Sequence, residues 1–318
     1  MPGMQWLDTI TGMGLEKALL LLMGPVFAMF MALEAWLLPR WGHAQSYNRP
    51  ATVANVSLAL THAVVDSIAW TLLTGLFYVV HEHRLMDIPL NGWTLLGLLV
   101  AQDFCHYWLH RASHRVRWMW ASHVTHHSSQ SLNLSTGLRH SPTEAISGAW
   151  LFWLPLAWLG FQPEHVILCV AVNMVFQFFV HTEAIDRPPG LVEAVFNTPS
   201  HHRVHHARNP QYIDRNYGGI FIIWDRMFGT FVPEIEACDY GIVRQVYTRN
   251  PLGLVLHEWV DLFSDVMRPG SVSARLKHLW APPEWQRPRE ERAPRLLALS
   301  APAILPEDVE DWPVHAGW

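Results

Sequence analysis

The stretch ALLLLMGPVFAMFMALEAWLL, residues 18–38, decides the fold class of this chain. Its 21 residues are apolar except for Glu34, and at about 1.5 Å rise per residue such a helix crosses a hydrocarbon core of roughly 30 Å. Further apolar segments follow at residues 56–80, 93–109, 145–161 and 166–180, and the turn sequence GFQPE separates the last two. The pattern predicts an all-α, polytopic membrane protein with four or five hydrophobic helices.

Composition supports a membrane class. Half of the 318 residues are hydrophobic and only 15% are charged, which is too few charges for a soluble protein of this length. The formal charge of -5 treats 20 histidines as neutral and so says little about partners, but it does not favour nucleic acid. Three widely spaced cysteines fit neither a disulfide framework nor a zinc ribbon. The N-terminal residues show no removable signal peptide.

Basic residues set the expected orientation. Arginines are concentrated between the third and fourth apolar segments and after the fifth, whereas the connection at residues 81–92 carries only Arg84. The positive-inside rule therefore places the histidine-rich segments in the cytoplasm. We predict an N-terminal segment with the first transmembrane helix at residues 1–50, a catalytic domain at 51–245 and a Pro-rich cytoplasmic tail at 246–318.

Three histidine boxes carry the chemistry. Residues at i, i+3 and i+4 share one face of an α-helix, so each box can direct two or three imidazoles at one point. The boxes are HRASH with His110 and His114, HVTHH with His123, His126 and His127, and HHRVHH with His201, His202, His205 and His206. The spacing predicts metal binding.

The number of these histidines points to two metal ions. A catalytic zinc takes only three protein ligands, and the boxes offer nine. Imidazole suits iron, copper, zinc and nickel alike, so the ligand type does not choose the metal. The position of the boxes beside lipid chains favours iron, because breaking a C–H bond requires activated oxygen. Isolated histidines such as His62 are expected to be ordinary, and His106 and His140 are not expected to be primary ligands.

Four blocks of sequence resemble the fatty acid hydroxylase/sterol desaturase superfamily, specifically its alkylglycerol monooxygenase-like branch. They are DFCHYWLHRASH (103–114), ASHVTHHSSQSLNLSTGLRHS (121–141), QFFVHTE (177–183) and NTPSHHRVHHARNPQYIDRNYGGIFIIWDRMFGTF (197–231). The resemblance implies a non-haem enzyme with two iron ions and a cytoplasmic histidine-rich cap, which uses O2 and two electrons to hydroxylate or desaturate a lipid. The ligands it implies are His110, His114, His123, His126, His127, His202, His205 and His206, with His181 and His201 as additional ligands or supporting groups.

The resemblance also bears on the surroundings of the metals. Asp103 lies seven residues, two helical turns, before His110, and we predict that Asp103 and Glu183 orient ligand imidazoles. Glu183 has an equally plain alternative, which is to neutralise a nearby arginine. The electron donor is expected to be a separate protein or a small reductant. The resemblance to the alkylglycerol monooxygenase-like branch implies a pterin as a candidate for that reductant. Arg115, His106 and His140 differ from the residues that the animal ether-lipid enzymes have at these positions. These differences bear on which substrate is used and on the dependence on a pterin, but not on the metal ligands.

Three other interpretations compete with a lipid oxygenase of this branch. A membrane zinc hydrolase would need an acidic general base beside a metal with three protein ligands. A non-enzymatic histidine-rich metal-binding protein would place its ligands inside the spans or in disordered tracts. A carotenoid or sterol-ring hydroxylase is the nearest alternative within the oxygenases.

Overall fold

The computed structural model describes residues 15–42 and 46–286, and this part of the chain is helical without a β-strand. The all-α prediction is confirmed. The remainder of the N-terminal segment and of the Pro-rich tail lies outside the described residues. The helices are α1 Leu15–Leu37, α2 Arg49–Glu82, α3 Gly92–Arg115, α4 Arg117–His127, α5 Glu144–Ser147, α6 Leu154–Leu159, α7 Pro163–Val180, α8 Gly190–Val195, α9 Pro199–His206, α10 Ile223–Phe228, α11 Pro251–Met267 and α12 Val272–Lys277.

Local sequence explains where the long helices begin. The side chain of Asn91 accepts hydrogen bonds from the backbone N–H groups of Trp93 and Thr94, at 2.9 and 3.1 Å. The Thr94 hydroxyl in return accepts from the Asn91 N–H, which completes a capping box. Helix α2 starts with an asparagine cap at Asn48 and a proline in its first turn. Such caps satisfy N–H groups that have no partner within the helix.

Three helical segments are long and apolar enough to cross a membrane: Leu22–Trp41, Arg49–Glu82 and Pro163–Val180. The exposed surface of helix α2 indicates the environment of these segments. Leu60, Val64, Ile68 and Leu72 follow one another at four-residue spacing, and each is more than 60% exposed. A continuous apolar stripe of this kind is costly in water and is stable against lipid chains. The protein is therefore an integral membrane protein.

The predicted helix at residues 145–161 is replaced by short pieces. Helix α5 ends at Gly148, whose φ of 86° lies in the left-handed region, and a 3-10 turn Ala149–Phe152 separates it from α6. The predicted tight turn into α7 is present at Gly160. Its φ is 128°, and a Cβ atom there would lie 2.0 Å from the carbonyl oxygen of Met86, so only glycine fits. The number of spans stays a prediction.

Residues beyond the predicted catalytic domain pack on α4. The Arg117 guanidinium, 4% exposed, donates to Glu258 at 2.8 Å and to Asp265 at 2.7 Å on α11. The backbone N–H of Trp118 donates to the carbonyl of Leu279 at 2.9 Å. Helix α11 therefore holds the helix that carries the second histidine box, while the boundary at residue 245 stays a prediction.

Replacing Arg117 with alanine should lower the free energy of unfolding by about 3 kcal/mol, because it removes a cation from half-buried Glu258 and from buried Asp265. Asp265 keeps its ion pair with Arg268. Thermal unfolding of the detergent-solubilised protein measures the loss. Arg244 gives a matched control, since it pairs with Asp261 but is 60% exposed. Arg244→Ala should change stability by less than about 0.5 kcal/mol. Equal shifts in the two variants would contradict the anchoring role.

Candidate metal centre

The three histidine boxes converge from three helices, and His181 joins them from the end of a fourth. His110 and His114 lie at the C-terminal end of α3, and the second box forms the last two turns of α4. His181 directly follows α7, and the third box occupies α9. Nine of the ten predicted histidines meet in two groups, within each of which the ligand atoms lie within 4.8 Å of one another. The first group is His110, His114, His123, His127 and His205, and the second is His126, His181, His202 and His206.

Within each group the Nε2 atoms point at one another. In the first, Nε2 of His123 lies 3.1 Å from Nε2 of both His110 and His127. In the second, Nε2 of His181 lies 3.1 Å from that of His126 and 2.9 Å from that of His202. Two imidazole nitrogens bound to one ion at about 2.0–2.1 Å lie roughly 2.9–3.4 Å apart for bond angles of 90–109°. The separations therefore fit one metal ion per group.

The contacts of the outer nitrogens indicate which ring nitrogens are available to bind a metal ion. Nδ1 of His181 donates to the carbonyl of Gln177 at 2.6 Å, and Nδ1 of His126 donates to the carbonyl of Arg139 at 3.3 Å. A carbonyl only accepts, so Nε2 of each neutral ring carries a lone pair. Two acceptors 3.1 Å apart cannot form a hydrogen bond with each other. A metal ion between them would satisfy both.

The first group is oriented in the same way. Nδ1 of His110 donates to the carbonyl of Tyr217, and Nδ1 of His205 to that of Arg215, both at 2.9 Å. Nδ1 of His114 lies 3.5 Å from Asp214, and its buried Nε2 has no hydrogen-bond partner among the described residues. These outer contacts fix the ring orientations, as is usual for histidine ligands.

Burial keeps the rings neutral. Removal from water, reinforced by neighbouring imidazoles, lowers the pKa of His126, His127 and His206 well below the usual value. Burial likewise lowers the pKa of His181 to about 3. A neutral imidazole is the form that binds metal, so the donors are ready at physiological pH.

His201 is the predicted site residue that the structure does not bring into either group. Its ring is fully buried, and Nε2 lies 3.0 Å from a carboxylate oxygen of Glu193. Nδ1 faces the backbone N–H of Thr198 at 3.3 Å, and these two residues form the capping box of α9. His201 thus helps to cap the N-terminus of the helix on which His202, His205 and His206 lie.

His201→Asn should leave the metal content unchanged, because an amide oxygen can still accept at the start of the helix. His202→Ala should lose about one ion per chain, because it removes one of the four nitrogens of the second group. Elemental analysis of the two purified variants makes the comparison. If His201→Asn loses as much metal as His202→Ala, His201 is a ligand and the capping role is insufficient.

Asp103 acts on the backbone of a neighbouring loop. Its fully buried carboxylate accepts from the N–H groups of Ile220 at 2.6 Å and Phe221 at 3.0 Å, and from the indole of Trp224 at 2.8 Å. The loop that it holds begins at Tyr217, whose carbonyl accepts from His110. The predicted influence of Asp103 on a ligand imidazole is therefore indirect.

Glu183 also lies outside both groups. It accepts hydrogen bonds from the Ser46 hydroxyl at 2.5 Å and from the Tyr240 hydroxyl at 3.1 Å. These contacts join the segment after α1 to the loop after α10. The described geometry favours a role in packing the loop after α10 against the segment that follows α1.

Sequence reasoning missed Asp214 and Arg139. Although burial opposes it, hydrogen bonding and charge from His114 and Arg115 lower the pKa of Asp214, so an anion stands behind the His114 ring. Arg139 is buried and donates to the carbonyl of Thr125 at 2.8 Å, which fixes the loop after the second box. An acidic residue eight positions after the third box was the available signal for Asp214.

Known proteins that are similar to this chain are named as monooxygenases or hydroxylases. The family profile "Fatty acid hydroxylase" matches residues 95–230. The chain is similar to alkylglycerol monooxygenase of Xenopus tropicalis, with 39% identity over 243 residues, 76% of this chain and 53% of the relative. It is also similar to alkylglycerol monooxygenase of Homo sapiens, with 39% identity over 67% of this chain and 47% of the relative.

A bacterial relative extends the comparison. The ornithine lipid hydroxylase of Rhizobium tropici is 33% identical over 52% of this chain and 50% of the relative. The chain spans about half the length of these curated relatives. No solved structure matches it.

Proposed function

Because the chain belongs to the fatty acid hydroxylase/sterol desaturase superfamily, in its alkylglycerol monooxygenase-like branch, we propose that it is a di-iron oxygenase that hydroxylates or desaturates a C–H bond of a membrane lipid. The observation that carries the proposal is the pair of adjoining groups in which buried imidazole lone pairs converge. The relatives named alkylglycerol monooxygenase and ornithine lipid hydroxylase support a lipid substrate.

The proposed metal ligands are the nine histidines of the two groups. Bound iron would supply activation of O2, with two electrons from a separate protein or a small reductant such as a pterin. The residues of the chain hold the ions and exclude water, because all nine rings except that of His123 are buried. The carbonyls of Tyr217, Arg215 and Gln177 orient three of the rings. No protein nucleophile is required.

The donor set argues against a zinc hydrolase. That chemistry needs an open metal with about three protein ligands and an acidic base beside it. The two groups contain five and four histidines and no carboxylate. A non-enzymatic metal-storage protein is disfavoured because specific hydrogen bonds to the outer nitrogens fix the orientation of the rings. Such hydrogen bonds adjust the properties of a ligand, which storage of an ion does not require.

The proposed topology is a multi-pass protein with its histidine groups on the cytoplasmic side. The arginine-rich segments between α3 and α7 and after α7 support this orientation. In this proposed orientation the metals would lie at the cytoplasmic boundary of the membrane, where a lipid chain could approach from the bilayer.

Two measurements test the function. Purified protein should contain about two irons per chain, and cells that express the gene should contain an oxidised lipid absent from cells without it. Comparative lipidomics identifies that lipid and separates an ether lipid from a sterol or carotenoid product. One zinc per chain together with an unchanged lipid profile would overturn the proposal.

A further inference from the structure

A second kind of metal-ligand set lies outside the nine histidines. His62 on α2, His140 in the loop before α5, and Glu144 on α5 each offer a ligand atom, and these atoms lie within 4.8 Å of one another. All three side chains are half-buried. We propose that His62, His140 and Glu144 form a third metal site, which binds a divalent transition-metal ion.

The hydrogen bonds of these residues leave nitrogen and oxygen lone pairs available to bind an ion. Nδ1 of His62 donates to the carbonyl of Ser141 at 3.1 Å, so Nε2 of the neutral ring keeps its lone pair. Nδ1 of His140 lies 2.9 Å from a carboxylate oxygen of Glu144. A proton shared between that nitrogen and oxygen occupies a position that a metal ion can take. Two imidazoles and one carboxylate are a common protein set for zinc and for iron(II).

The local charge also favours a cation. Asp66 lies one helical turn after His62 on α2 and interacts electrostatically with His62, His140 and Glu144. The ion pair that Glu144 makes within the described residues is with His140, and none there joins Glu144 or Asp66 to a lysine or arginine. The negative charges of Asp66 and Glu144 are therefore balanced within the described residues by histidines rather than by lysine or arginine. A divalent ion would supply that compensation directly.

The third site would support the second histidine group. The ring of His140 stacks on that of His126 with centroids 5.3 Å apart. The carbonyl of the preceding residue, Arg139, accepts from Nδ1 of His126. An ion bound by His140 and Glu144 would fix this loop and with it the orientation of His126, although it would share no ligand with the second group.

The test counts zinc ions bound by the purified full-length chain in detergent after incubation with Zn²⁺ and removal of the excess. Glu144→Gln preserves the shape of the side chain and should lose about one ion relative to wild type, and His62→Ala on another helix should lose the same ion. His83→Ala is the matched control, because His83 lies exposed at the end of α2. It should retain the wild-type count.

The test measures the change in zinc count that Glu144→Gln causes, so its result does not depend on how much zinc the two histidine groups bind. Wild type and His126→Ala should each lose one ion when Glu144→Gln is introduced. Thermal unfolding and gel filtration confirm that the variants are folded. Equal zinc counts in wild type, Glu144→Gln and His62→Ala would overturn the third site and leave the proposed oxygenase untouched.

Discussion

Replacing His126 with alanine should reduce lipid oxidation by more than about 100-fold, because losing a ligand costs more than the 10–100-fold typical of losing an outer contact. His126 contributes one of four nitrogens to the second group, and its Nε2 lies 3.1 Å from that of His181. The variant should also lose about one iron per chain. Product formation in membranes and iron content of the purified protein measure the two effects.

His257→Ala is the matched control for that experiment. His257 is a half-buried histidine on α11, and its Nδ1 donates to the carbonyl of Leu254 at 2.9 Å, outside both groups. Its activity should remain within about twofold of wild type, as expected for a substitution away from the site. If His126→Ala keeps both irons and most of its activity, the second group is not a metal site.

The helical spacing of the boxes accounts for much of how the histidines are grouped in the structure. Three of the four pairs at i and i+4 within the boxes enter the same group, 110 with 114, 123 with 127, and 202 with 206, whereas 201 and 205 do not. The other histidines of the second and third boxes separate from these pairs: His126 joins the second group, His205 joins the first, and His201 joins neither. That exchange depends on how α4 and α9 pack, which the periodicity of a single helix does not contain.

Other features could not be read from the sequence. The carbonyls that orient His110 and His205 have no side-chain signature, and they are brought near by contacts more than a hundred residues apart in one case and ten in the other. His201 has the spacing of a ligand, but it lies outside both groups and forms the capping box of α9 with Thr198. The predicted fourth helix failed as a continuous helix because Gly148 takes a left-handed conformation.

Replacing Asp103 with alanine should lower the free energy of unfolding by about 3–5 kcal/mol and reduce metal content. Three N–H donors, on Ile220, Phe221 and Trp224, would lose a buried charged acceptor. Thermal unfolding measures the stability and elemental analysis the metal. Asp87→Ala is the control, since Asp87 is 85% exposed in its pair with Arg84. That change should cost less than about 0.5 kcal/mol.

A second variant separates the position of the loop from the charge of Asp103. A Cβ atom on Gly219 would lie 2.6 Å from an Asp103 carboxylate oxygen, so Gly219→Ala must push the loop away while the aspartate remains. The displacement would move the Tyr217 carbonyl from Nδ1 of His110. Metal loss in both variants would show that the contact itself positions the first group. Metal loss in Asp103→Ala alone would mean that the charge acts without the loop, contrary to the geometry.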